Sequence, residues 1–125
     1  MKIILWILQV LLAVMFAWHG WLFLSPPAEV AELLNAQFPI RFRLFLGAAE
    51  VLAAVGLILP SVTRVLPKLT PLAAAGLMIV TLSATVLHLT RSEIGTAITT
   101  AVLFVLVACV AYGRWKIKPI APRAM

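Results

Sequence analysis

Charge is scarce in this sequence. Only 11% of its 125 residues are Asp, Glu, Lys or Arg, where an ordinary soluble domain has about a quarter, and 64% are hydrophobic. A water-soluble surface cannot be built from that supply, and a mean hydropathy of +1.14 points to lipid as the solvent. Cysteine is scarcer still, since Cys109 stands alone inside an apolar stretch. Its isolation excludes an intramolecular disulfide, a CxxC pair and a multi-cysteine zinc site, and so argues against a quinone-reducing dithiol oxidoreductase. Cys109 reads as a small packing residue. Haem, flavin and iron-sulfur signatures are missing too, so no covalently bound cofactor is expected and no catalytic residue is assigned.

What the chain has in plenty is long apolar runs. A bilayer core about 30 Å thick needs roughly 20 apolar residues of helix. Four segments meet that requirement: Ile3 to Leu24, Leu44 to Leu59, Leu72 to Thr90 and Gly95 to Tyr112, or with their flanks residues 3–24, 42–60, 70–90 and 95–113. The run that follows Met1-Lys2 is too long for a signal-peptide core, and no small-x-small cleavage site follows it, so it reads as a retained helix. Pro26, Pro27, Pro39, Pro60, Pro67, Pro71, Pro119 and Pro122 fall in the gaps and the tail, with none expected to interrupt a span. The predicted fold is all-α, with residues 1–125 forming one transmembrane domain, a four-helix bundle integral to the bilayer.

Ten basic against four acidic residues give a formal charge of +6. The bases lie between and after the apolar runs rather than in a patch with interleaved aromatics, which argues for topology and against nucleic acid. Lys2, Arg64, Lys68, Arg114, Lys116, Lys118 and Arg123 belong to one set of connecting segments, and Arg41, Arg43 and Arg91 to the other. The positive-inside rule then places both termini in the cytoplasm and the chain in the inner (cytoplasmic) membrane as a multi-pass protein. Trp6, Tyr112 and Trp115 mark one interface and Trp18, Trp21 and Phe42 the other. In the first outer loop, Ser25-Pro26-Pro27 is a helix-start signal, with Glu29 and Glu32 in the first turns and Val30, Leu33 and Leu34 on one face. These residues predict a short amphipathic helix from Pro27 to about Ala36, lying over the outer mouth of the bundle.

An ionisable side chain inside a membrane is costly enough that each one needs a reason. His19, Glu50 and His88 are the three in question, about five, seven and two residues in from the outer ends of their helices. That shared depth allows a common site in the outer leaflet. Glu50 lies on the stripe Gly47, Glu50, Ala53, Ala54, and small residues on a membrane helix face another helix, so Glu50 is expected to point inward. His88 lies on the polar stripe Thr81, Ala84, Thr85, His88, and the fourth span adds Thr96, Thr99 and Thr100 at its outer end. His19 has apolar neighbours one and two turns away. Gln9 and Cys109 stand isolated in the inner half, so the bundle is expected to be polar outside and sealed by packing inside. The candidate ligand-binding set is Glu50, His19, His88, Trp18, Thr85 and Thr99. Three of these, His19, Glu50 and His88, could also ligate zinc or iron, but they come from separate helices without a local motif, and no metal is assigned.

In their order along the chain these residues resemble the DoxX-like family of small four-helix membrane proteins. The resemblance rests on Trp18-His19-Gly20-Trp21 near the end of the first helix, on Gly47-Ala48-Ala49-Glu50, and on Val55-Gly56-Leu57-Ile58-Leu59-Pro60. Ala74 to Met78 and the run through Ala84 to His88 are similar as well. Trp21-Leu22-Phe23 departs from relatives that carry a base a few positions after the first-helix glycine. The resemblance implies a link to membrane redox chemistry, since members include a subunit of a thiosulfate:quinone oxidoreductase and partners in oxidative-stress complexes.

Two functions compete on this reading. One is a subunit that binds a quinone or another small hydrophobic ligand and works with a separate soluble or membrane redox partner, because one carboxyl and two imidazoles can hydrogen-bond a quinone carbonyl and exchange its protons. The other is a non-catalytic assembly or interaction factor for another membrane protein. A channel is disfavoured by four helices with a dry inner half, although a homo-oligomer could create a path.

Overall fold

A computed structural model of the chain describes residues 2–122. Arg123, one of the bases used to orient the chain, lies outside the described residues. Five α-helices follow in order: α1 (Lys2–Leu24), α2 (Ala28–Gln37), α3 (Ile40–Thr63), α4 (Leu69–Thr90) and α5 (Ile94–Tyr112), the last continued by a π-helical turn over Gly113–Ile117. No strand is formed among the described residues. Lys2–Leu24, Ile40–Thr63, Leu69–Thr90 and Ile94–Ile117 are long and apolar enough to cross a membrane.

The long helices run alternately up and down, so the bundle has a basal end, with the start of α1 and the end of α5, and a distal end, with α2. Helix α1 packs along α3 and α4 along α5, while α3 against α4 and α5 against α1 complete the bundle. Leu12, Phe16, Ala54, Leu57, Ala74, Leu77, Val107 and Val110 meet at its centre. Outward, every long helix presents large apolar side chains, among them Leu11, Leu52, Ile79 and Val105. In water such a surface would aggregate; in a bilayer it is solvated by acyl chains.

Short connections are set by local chemistry. Pro39 opens α3, and Arg64, at φ 58°, closes it in the left-handed conformation. Helix α2 follows Pro27 and none of its residues is buried. Pro60 departs from expectation: it lies inside α3, which runs on to Thr63. A proline in a helix leaves the carbonyl four residues earlier without its usual donor, here Gly56 O. Thr70 on α4 supplies the missing hydrogen, its Oγ1 donating to Gly56 O at 2.9 Å. The helix therefore continues because its neighbour repairs the gap. Cys109 also differs from the packing role read for it, since it is exposed on α5.

Candidate functional site

Helices α1 and α3 touch backbone to backbone through two glycines. A Cβ placed on Gly20 would lie 2.7 Å from Gly47 O, and one placed on Gly47 would lie 2.8 Å from Gly20 O. No larger residue permits that approach. His19 precedes the first glycine and Glu50 sits one turn after the second, so the contact brings their side chains together. Nδ1 of His19 is 2.9 Å from Oε2 and 3.1 Å from Oε1 of Glu50.

The two partners differ in access. Glu50 is 2% exposed, whereas the His19 side chain is 47% exposed. An imidazole that donates Nδ1–H to a carboxylate keeps Nε2 as an acceptor, and a protonated ring donates from both nitrogens. Among the described residues nothing hydrogen-bonds His19 Nε2. The pair thus presents, at the edge of the bundle, an imidazole nitrogen backed by a buried carboxyl group. The Phe23 ring lies 4.6 Å from the imidazole, and Phe38 and Phe42 continue the aromatic row toward the distal end.

The remaining predicted residues go elsewhere. Trp18 is 68% exposed, next to His19 on α1. His88 does not join the pair; its Nδ1 is 2.8 Å from Glu93 Oε1, in the turn that follows α4. Thr85 bonds back to Thr81 O at 2.8 Å and meets Thr100 Oγ1 at 2.8 Å across the α4–α5 contact. Thr99 is exposed and bonds to Gly95 O of its own helix. No group of three or more His, Cys, Asp or Glu residues is assembled among the described residues, so His19, Glu50 and His88 do not form a common ligand set.

The basal half is not the dry packing expected of it. Gln9, fully buried, is the hub of a network that ties together all four long helices. Its Nε2 donates to Leu57 O at 2.7 Å and to Ser61 Oγ at 3.1 Å, and its Oε1 accepts from Arg114 Nε at 2.6 Å. Ser61 and Thr70 hydroxyls are 2.7 Å apart. Because Thr70 gives its hydrogen to Gly56 O, Ser61 donates to Thr70, and the chain of bonds runs in one direction from Gln9 to the carbonyl freed by Pro60. Arg43, read from sequence as an outer-loop base, is likewise inside: it occupies the first turn of α3 at 6% exposure, with Nε and Nη1 unpartnered among the described residues.

Two cavities open at the basal end, and neither is lined by His19 or Glu50. Comparison with curated proteins and with solved structures gives no match. A family comparison does, over residues 7–110, a stretch that holds the glycine contact, the His19–Glu50 pair and most of all four apolar helices. The chain is a multi-pass membrane protein, and it belongs to the DoxX-like family.

Proposed function

We propose that the chain is a ligand-binding membrane subunit that holds a lipophilic carbonyl compound of the quinone class at His19 and works with a separate redox partner. The observation that carries this reading is the division of labour in the pair: a carboxylate buried at 2% exposure and an imidazole half open to the surrounding lipid. A quinone partitions into the bilayer and would reach His19 laterally, its carbonyl oxygen accepting a hydrogen bond from Nε2–H of the ring. Quinone reduction takes up protons with electrons, and the pair can pass a proton to that oxygen while the electrons come from the partner. Exposed Trp18 adjoins His19 on α1. We place this subunit in the cytoplasmic membrane with both termini inside, on the distribution of basic residues.

A second reading, an assembly or interaction factor without a ligand, draws on α2, whose ten residues are all left unburied by the rest of the chain. Titration of the purified protein with a short-chain ubiquinone analogue separates the two. Quenching of tryptophan fluorescence that saturates in wild type and is lost in His19→Ala supports the ligand reading. Unsaturable quenching in both proteins, together with a stoichiometric protein partner on purification, supports the second.

A further inference from the structure

Arg114 is a cation in an apolar place. It is 4% exposed, in the π-helical turn after α5, and among the described residues its partners are neutral. Nε donates to Gln9 Oε1, Nη1 donates to Lys118 O at 3.0 Å, and the guanidinium lies 5.4 Å from the Trp6 ring centre. Nη2 is buried with no partner among the described residues. Glutamates are the only acidic side chains in the sequence, and all four belong to other regions: Glu29 and Glu32 on α2, Glu50 beside His19, and Glu93 in the α4–α5 turn. A buried cation without an anion is expensive, and among the described residues none stands beside Arg114.

The same arginine lines a cavity of about 590 Å³ between the α3–α4 connection and the segment after the π turn. Lys68 is the other charged residue in its wall, with Nζ 5.7 Å from the Trp115 ring centre. The rest of the lining, including Leu66, Leu69, Ile120 and Pro122, is apolar. Two cations among apolar walls, at the end of membrane helices, fit a ligand that carries a phosphate on a hydrocarbon body. The size lies within the range of sites for small ligands. The geometry points to a specific site for one anionic phospholipid, its headgroup phosphate between Lys68 and Arg114 and its glycerol and upper acyl carbons against Leu66, Leu69 and Ile120. This site is separate from the His19–Glu50 pair, and Arg114 and the segment from Pro119 to Pro122 lie beyond the residues matched by the family.

Native mass spectrometry of the full chain, with a parallel melting curve, tests the assignment. Phosphatidylglycerol, phosphatidylcholine and inorganic phosphate serve as probes. One phosphatidylglycerol should be retained per chain and should raise the melting temperature, while phosphatidylcholine and inorganic phosphate do neither. Lys68→Gln, at an exposed position, should weaken retention by about five-fold, the worth of one interfacial base. Lys116→Gln, exposed but outside this cavity, should leave retention unchanged. Equal retention of the two lipids, equal weakening by the two lysine variants, or full stabilisation by inorganic phosphate would each overturn the site.

Discussion

A glutamine in a membrane helix exposes its amide to hydrocarbon unless the bundle supplies partners, and Gln9 has three. Gln9→Leu keeps the bulk and removes them all, leaving Arg114 Nε and the Leu57 carbonyl short of partners. Loss of about 1–3 kcal/mol is expected, read as a lowered denaturation midpoint. Adding Arg114→Leu to Gln9→Leu should recover part of that loss, since two apolar groups replace an unpaired charge. Little of this network was legible in the sequence. Arg114 follows the last apolar run and reads as a topology signal, and only the π-helical continuation from Gly113 turns it back onto α1. A Cβ on Gly113 would lie 2.6 Å from Leu5 Cδ2, so the turn packs directly against the start of α1. Arg43 escaped for a related reason: a base at a helix start is assumed to reach water, yet the α3 stripe that buries Gly47 and Glu50 buries it too. Glu50 itself was legible, because the small residues beside it mark a face that must meet another helix.

Helix α1 packs along α3, and the two glycines where their backbones meet give an internally controlled experiment. Gly20→Ala and Gly47→Ala both force a methyl group against backbone oxygen, at a cost of about 1–3 kcal/mol, and should pull His19 away from Glu50. Gly76→Ala meets nothing within 4 Å and should be neutral or stabilising by up to about 1 kcal/mol, from helix propensity alone. Melting curves of the three variants decide the matter. The Pro60 repair is testable by a double-mutant cycle. Thr70→Val orphans Gly56 O and should destabilise by about 1–3 kcal/mol, and by less in a Pro60→Ala background, where the restored amide N–H returns to that carbonyl. The glycine contact also explains why His19 was harder to place than Glu50. Its own helix surrounds it with apolar residues, and the pairing depends on how closely α3 approaches. Depth was not enough to place His88, because depth fixes height along the bundle and leaves direction open. Helix α4 ends at Thr90, and the turn after it returns Glu93 to the histidine.

For the whole molecule, the four apolar runs were readable because a bilayer leaves helices few alternatives, and the long helices extend the predicted spans by only a few residues. The proposed orientation rests on charge alone and is open to a direct test. A reporter active only in the cytoplasm should work when fused after Met125, and a reporter inserted near Asn35 should read as external; the reverse would put the His19–Glu50 pair in the opposite leaflet. On the proposed function, Glu50 serves a bound molecule and is not merely a staple between α1 and α3. Glu50→Gln preserves shape and can still hydrogen-bond His19, but it holds no titratable proton, whereas Glu50→Ala also opens a void. The decisive measurement is the amount of quinone extracted from each protein purified from membranes, taken together with its melting temperature. A Glu50→Gln protein should melt with wild type and retain no quinone, beside a Glu50→Ala protein that is less stable. A Glu50→Gln protein that is stable and keeps the wild-type amount of quinone would contradict that role.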